Sequence, residues 1–193
     1  MAVDGRSTTL RPRTPLTPGL VCDGVVNSAR HVVVMGVSGS GKSTIAEGLT
    51  ERTRWSFAEA DEFHPQRNID KMESGIPLTD EDRRPWLEDL VRWMRERAQV
   101  GESTIVTCSA LKRSYRDLLR TAGEGVVFVH LDGDEAVLSE RMRGRRGHFM
   151  PPALLRSQLG TLEPLHANEP GFTISIEESP ARIVEEILRH LGR

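Results

Sequence analysis

His31-Val-Val-Val-Met-Gly-Val-Ser-Gly-Ser-Gly-Lys-Ser-Thr44 is the stretch from which the rest of the chain can be read. His31 to Met35 is mostly β-branched or apolar, which predicts a short buried strand. Gly36 to Ser43 then fits G-x-x-x-x-G-K-[ST] at every fixed position. Ile45, Ala46 and Leu49 follow at helical spacing, so a helix should begin near Lys42 and run to about Arg54. Such a loop binds anions. Its glycines let the backbone curl until successive N–H groups face phosphate oxygens, and the helix adds its positive end. Gly36, Ser38, Gly39, Ser40, Gly41, Lys42, Ser43 and Thr44 are therefore the candidate residues for binding a nucleoside triphosphate. Lys42 would reach the β- and γ-phosphates, and the Ser43 hydroxyl would hold Mg²⁺.

The chain has 193 residues, 37% hydrophobic and 28% charged, enough for one globular domain with a core. A net charge of −2 argues against a general nucleic-acid binder. Two distant cysteines, Cys22 and Cys108, make no disulfide framework and fit a reducing compartment. With no apolar run of membrane-spanning length and no secretory leader, the expectation is a soluble cytoplasmic protein without a membrane partner. Residues 1–30, with Pro12, Pro15 and Pro18 and few large apolar side chains, are expected to be a disordered tail, and residues 31–193 the domain.

Further along, Trp55 to Ala60 predicts a second strand leading into Glu59, Asp61, Glu62 and His64. A polar segment follows as far as Pro85, with a short helical piece around Ile69 to Ser74. Thr79 caps a long helix whose apolar stripe is Trp86, Leu87, Leu90, Val91, Trp93, Met94 and Ala98. Thr104 to Cys108 is a third strand, and Ser109 to Arg113 lies at its carboxyl end. A helix over Tyr115 to Thr121, a strand over Val126 to Leu131, a strand over Phe172 to Ile176 and a final helix from Ser179 or Pro180 complete the pattern. This alternation predicts an α/β fold: a three-layer α/β/α phosphate-loop NTPase with a five-stranded parallel sheet. The segment from His64 to Pro85 would be a helical substrate cover. The arginine run Arg141, Arg143, Arg145 and Arg146, with Gly144 and Gly147, suits a lid over residues 143–165 that closes on a triphosphate.

A phosphate loop alone names no reaction. The guanine-reading N-K-x-D and the γ-phosphate-sensing D-x-x-G of GTPases are both missing, and Val126 to Asp132 ends in Asp-Gly rather than the Asp-Glu of motor ATPases. A small-molecule kinase remains, and it needs a carboxylate beside the acceptor hydroxyl; Asp61 is the candidate. On the residues alone, shikimate, a nucleoside monophosphate or another polyol acid stays open as the acceptor, as does a nucleotide sensor without turnover.

Four separated blocks sharpen this. The run from Asp61-Glu-Phe-His64 through Gly75-Ile-Pro77 and Asp80-Glu-Asp82-Arg83 to Trp86-Leu87 resembles the substrate segment of the gluconokinase family. Cys108-Ser-Ala-Leu-Lys112-Arg-Ser-Tyr115-Arg116-Asp117, Arg145-Arg-Gly147-His148-Phe149 and the phosphate loop resemble that family too. The resemblance spans His31 to the end of the chain and is of the thermoresistant gluconate kinase type, related to the shikimate and adenylate kinases. It implies ATP-dependent phosphorylation of the 6-hydroxyl of D-gluconate, with Mg²⁺, and commonly a homodimer, and makes ATP the triphosphate that the loop candidates would bind. Lys42, Asp61 and Arg145 would be catalytic, and Arg141 would lie near the adenine or the phosphates. For the anionic acceptor, Asp61, His64, Arg67, Arg83 and Lys112 are the binding candidates, with Lys112 equally placed to touch the transferring phosphoryl. Where the family often has Asp-x-Asp this chain has Glu59-Ala-Asp61, so Glu59, Asp61 and Asp132 compete as partners of the metal beyond Ser43.

Overall fold

The computed structural model describes residues 29–144 and 152–193. Its central strand is β1 (His31–Met35), every residue of which is buried. Val32 and Val34 face one side, in a core with Ile45, Ala46 and Leu49 of α1 (Lys42–Thr53) and Ile183, Val184 and Ile187 of a C-terminal helix, α7 (Pro180–His190). Val33 and Met35 face the other side, against Trp86, Leu87, Leu90 and Met94 of α3 (Asp80–Gln99) and Tyr115 and Leu119 of α4 (Arg113–Arg120). A strand covered on both faces has no polar face, which is why its sequence is a continuous apolar run.

Around β1 the sheet is wholly parallel, in the order β2 (Ser56–Glu59), β3 (Thr104–Cys108), β1, β4 (Val126–Asp132), β5 (Gly171–Ser175). Met35 stands level with Cys108 on one side and His130 on the other. Glu59 pairs with Thr107, and Asp132 with Ser175. The expected three layers and five parallel strands are therefore present. All the strands end on one rim, where ligands of open α/β sheets bind.

Element ends differ from expectation where local chemistry decides them. Trp55 precedes β2, and Ala60 already belongs to a 3₁₀ turn over Ala60–Phe63. The first cover helix, α2 (Gln66–Glu73), starts behind Pro65 rather than at Ile69. Thr79 does cap α3: its Oγ1 accepts from the Asp82 N–H at 3.2 Å, and the Thr79 N–H donates to Asp82 Oδ2 at 2.9 Å. Lys71 closes the cover by donating to the same carboxylate at 2.7 Å. With Lys71 the largest cause, the Asp82 carboxyl is held down to about 2. Past α5 (Glu135–Gly144), α6 (Pro152–Thr161) returns over the loop rim.

The segment between α6 and β5 is tied to the start of α4 by a fully buried ion pair. Arg116 Nε donates to Glu169 Oε2 at 2.6 Å and Nη2 to Oε1 at 2.9 Å, with neither side chain exposed. The remaining donors reach the carbonyls of Ala110, Leu111, Glu163 and Pro164. Led by the Arg116 hydrogen bond, these contacts hold the Glu169 carboxyl at about 2 instead of 4.5. A carboxyl depressed on folding stabilises the fold above its unfolded value and loses that contribution as pH falls from 4.5 towards 2. Arg116→Met, which strands Glu169, should lower the unfolding free energy by about 3–5 kcal/mol in urea titrations at pH 7. Glu169→Gln should flatten the acid limb of a stability–pH profile between 4.5 and 2.

Candidate functional site

The loop between β1 and α1 is shaped by glycine. Gly36 has φ 146°, and a Cβ there would lie 2.7 Å from the Leu131 carbonyl oxygen and 2.8 Å from Ser40 Oγ. Gly39 has φ 82°, with the Leu138 carbonyl and Met142 of α5 at 3.0 Å behind it. Gly41, also left-handed, stands at the start of α1, and no side chain caps that helix. The first-turn amides of α1 therefore face the loop's hollow, where an anion supplies the missing acceptors. Lys42 Nζ donates back to the Val37 carbonyl at 3.1 Å, so the ammonium lies across the loop. Ser43 is half-buried and Thr44 exposed beside it. The Ser40 hydroxyl is buried without a hydrogen-bond partner among the described residues.

One loop contact comes from across the rim. Gln158 of α6 accepts the Ser38 N–H on Oε1 at 2.7 Å, which ties the described part of the expected lid to the phosphate loop. Nothing in the residue pattern singled out Gln158; a polar side chain on a helix face reads as solvated until the loop is seen beneath it.

At the end of β3 the Cys108 thiol is fully buried. Burial pushes its pKa up, the Asp61 charge adds to that, and Lys42 and Arg83 oppose it. The charges of Asp61, Lys42 and Arg83 thus all act on this one thiol at the rim: those of the candidate base, the phosphate-loop lysine and a cover arginine. Asp61 itself is exposed, in the turn after β2. His64 closes that turn, its ring stacked on Trp86 at 4.2 Å between centroids. Burial lowers the His64 pKa, Asp61 partly offsets this and Arg83 adds to it, so the imidazole is neutral at physiological pH.

Lys112, at the start of α4, donates to both oxygens of Asp80 at 2.7 and 2.8 Å, and the Tyr115 hydroxyl donates to Asp80 Oδ1. Lys112 and then Tyr115 hold the Asp80 carboxyl below its ordinary range, and Asp80 in turn raises the Lys112 pKa. The Arg83 guanidinium lies 5.9 Å from the Tyr115 ring centroid, so Arg83 and Lys112 frame one corner of the cleft. The expected substrate cation Lys112 is thus engaged by the carboxylate of a residue 32 positions away, a pairing that no local pattern signals.

Arg67 is not drawn in: it is exposed on α2, and among the described residues no hydrogen bond or ion pair ties it to the rim. Arg141 donates to the Ile176 carbonyl at 2.8 Å, bracing the loop after β5. Arg145 and the rest of 145–151 lie outside the described residues.

Among the described residues no group of three or more His, Cys, Asp or Glu side chains could hold a metal. Mg²⁺ needs no such cage, because phosphate oxygens and water fill most of its shell. A serine hydroxyl at the loop with acidic side chains on the same rim is a donor set that fits it. Of these acids, Glu59 receives the Thr107 hydroxyl, Asp61 is exposed, and Asp132 lies on the far side of β1.

A glycine-built phosphate loop on a parallel sheet, faced by an acid–base rim and a cover, defines a P-loop kinase. The family described as "AAA domain" matches residues 32–165. A gluconokinase of Gluconobacter oxydans (strain 621H) is 49% identical over 161 residues, covering 83% of this chain and 90% of its own. The crystal structure of a gluconokinase from Sinorhizobium meliloti 1021 superposes with a TM-score of 0.75 and 48% identity, over 86% of this chain and 93% of that one. Shikimate kinase from Aquifex aeolicus, at 19% identity, shares the fold with a TM-score of 0.53 over 84% of this chain and 96% of its own. The chain belongs to the gluconokinase family, as the four sequence blocks implied, and is a kinase.

The cradle can be tested without chemistry. Gly36→Ala should weaken ATP binding by about tenfold or more, because its Cβ must displace a backbone carbonyl. Calorimetric titration with ATP would measure this, and unchanged affinity would show that the loop holds its ligand in another shape.

Proposed function

We propose that this protein transfers the γ-phosphoryl group of ATP to the 6-hydroxyl of D-gluconate, giving 6-phospho-D-gluconate and ADP. The observation that carries this reading is the glycine-built phosphate loop at the end of the buried central strand, with the Lys42 ammonium lying across it. The family relationship supports gluconate in particular.

In this reading the loop amides from Gly36 to Thr44 and the Lys42 ammonium bind the triphosphate. Magnesium, when bound, neutralises charge on the β- and γ-phosphate oxygens, and Ser43 with a rim carboxylate (Glu59, Asp61 or Asp132) would hold it. Asp61 accepts the proton of the attacking hydroxyl and orients its oxygen towards the γ-phosphorus. Arg83 and Lys112 receive the sugar acid's carboxylate and hydroxyls, and His64 hydrogen-bonds to it. Engagement of Lys112 by Asp80 supports a site whose charges are already partnered before the anion arrives. Arg141 and Arg145 stabilise the nucleotide and the transition-state charge from the lid. We also assign residues 1–30 to a dispensable tail and 31–193 to the kinase domain, and we propose a cytoplasmic homodimer. These three assignments rest on composition and family resemblance. Among the described residues no helix is long and apolar enough to cross a membrane.

ADP release should be measured with D-gluconate, shikimate and AMP side by side in Mg·ATP. Turnover on gluconate alone is expected, and turnover on another acceptor in its place would overturn the substrate while leaving the kinase. Lys42→Ala should abolish transfer in a protein with an unchanged circular dichroism spectrum. Asp61→Asn should lower kcat by about 10²-fold or more; a change confined to KM would reduce Asp61 to a binding group.

A further inference from the structure

We propose that Asn68 is a positioning residue that fixes the tautomer of His64, so that the imidazole presents its Nε2–H to the acceptor. The proposal rests on the function above only for the identity of the molecule that Nε2 meets.

Asn68 lies on α2 and is completely buried, one helical turn beyond His64, which is 8% exposed. Its amide can be oriented from its neighbours. The terminus facing the Asp82 carbonyl at 2.9 Å must be the NH₂ group, because an oxygen there would meet another oxygen. The same nitrogen lies 3.3 Å from His64 Nδ1. An amide NH₂ has two hydrogens, and these two acceptors use both. A ring nitrogen that accepts a hydrogen bond carries no proton, so neutral His64 bears its proton on Nε2.

The ring is held against rotation as well. It stacks on Trp86 with 17° between the planes, and Trp86 is pinned by donating from Nε1 to the Ala60 carbonyl at 2.6 Å. Among the described residues nothing hydrogen-bonds Nε2. The charged groups acting on the ring are Asp61, whose carbonyl receives the His64 N–H at 3.3 Å, and Arg83. An acceptor hydroxyl that reaches both side chains can take a hydrogen bond from Nε2–H and give its own proton to the Asp61 carboxylate. The opposite tautomer would present a second acceptor and leave that hydroxyl no donor.

Asn68 carries a cost that points the same way. Its Oδ1 is buried with no hydrogen-bond partner among the described residues. A leucine of similar size would avoid that orphan, so the amide is explained by what its NH₂ group orients rather than by packing.

The test combines a spectrum with kinetics on the full chain. With ¹⁵N-labelled histidine, two-bond ¹H–¹⁵N correlations distinguish the tautomers, and His64→Gln assigns the signals. Wild-type His64 should be the Nε2–H form; an Nδ1–H form overturns the proposal. In Asn68→Asp, where a carboxylate oxygen replaces the donor, His64 should shift to Nδ1–H or to imidazolium. The acceptor KM should then rise about tenfold while the KM for ATP holds. A retained Nε2–H form in that variant overturns the proposal, as does an equal rise in both KM values. If Asn68→Asp does not fold, the wild-type spectrum decides alone. The stated tautomers without turnover on gluconate would support the positioning role and overturn the substrate reading.

Discussion

The Arg116–Glu169 pair is the constraint on which the rim depends. Its guanidinium joins two segments far apart in the chain: the turn after β3, through the Ala110 and Leu111 carbonyls, and the return from α6 to β5, through Glu163, Pro164 and Glu169. A lysine could not replace it, because a single ammonium cannot reach this many acceptors in a plane. Burying both charges is expensive and is offset only because each guanidinium nitrogen donates and both carboxylate oxygens accept. The return on that cost is position. Glu163 also accepts the Arg113 N–H and donates its own N–H to the Leu111 carbonyl, so the segment after α6 is tied directly to the Lys112 corner of the cleft.

Above that base, the cleft is assembled from partnered charges. Lys112 is held by Asp80, Lys71 by Asp82, and the Ser38 amide by Gln158. In a kinase this has a physical use. A substrate anion that reaches Lys112 exchanges partners with Asp80 rather than meeting a bare cation, and the reorganisation there stays small. The Gln158 contact also makes the lid helix and the phosphate loop neighbours, so a lid that moves must break or carry that hydrogen bond.

The neutral His64 fits the same scheme. Beside Asp61 and Arg83, an imidazolium would add one more charge to a place that already balances an acid against two bases. Burial against Trp86 disfavours the imidazolium and leaves a directional donor, which discriminates hydroxyl geometry better than a point charge does.

The strand, glycine loop and helix of residues 31–54 could be read without coordinates, because glycine spacing and an apolar run are local signals that survive any context. The Thr79 cap of α3 was legible for the same reason: its two hydrogen bonds join residues three apart. Five strands in a parallel sheet followed from the alternation, but not their order, since nothing in β2 or β3 records that β3 slips between β2 and β1. The sequence also named Asp61, His64, Arg83 and Lys112 as rim groups without their partners. Arg116 stood in the sequence only as part of one family-like block with no partner attached, yet it is wholly buried, because only the fold brings Glu169, 53 residues away, to meet it. Gln158 on Ser38, and Asn68 beneath His64, are of the same kind. By itself the sequence determined what the backbone does over a few residues and which chemical groups reach the rim. Tertiary structure alone decided which of those groups face one another, because a hydrogen bond between distant segments leaves no period or spacing in either of them.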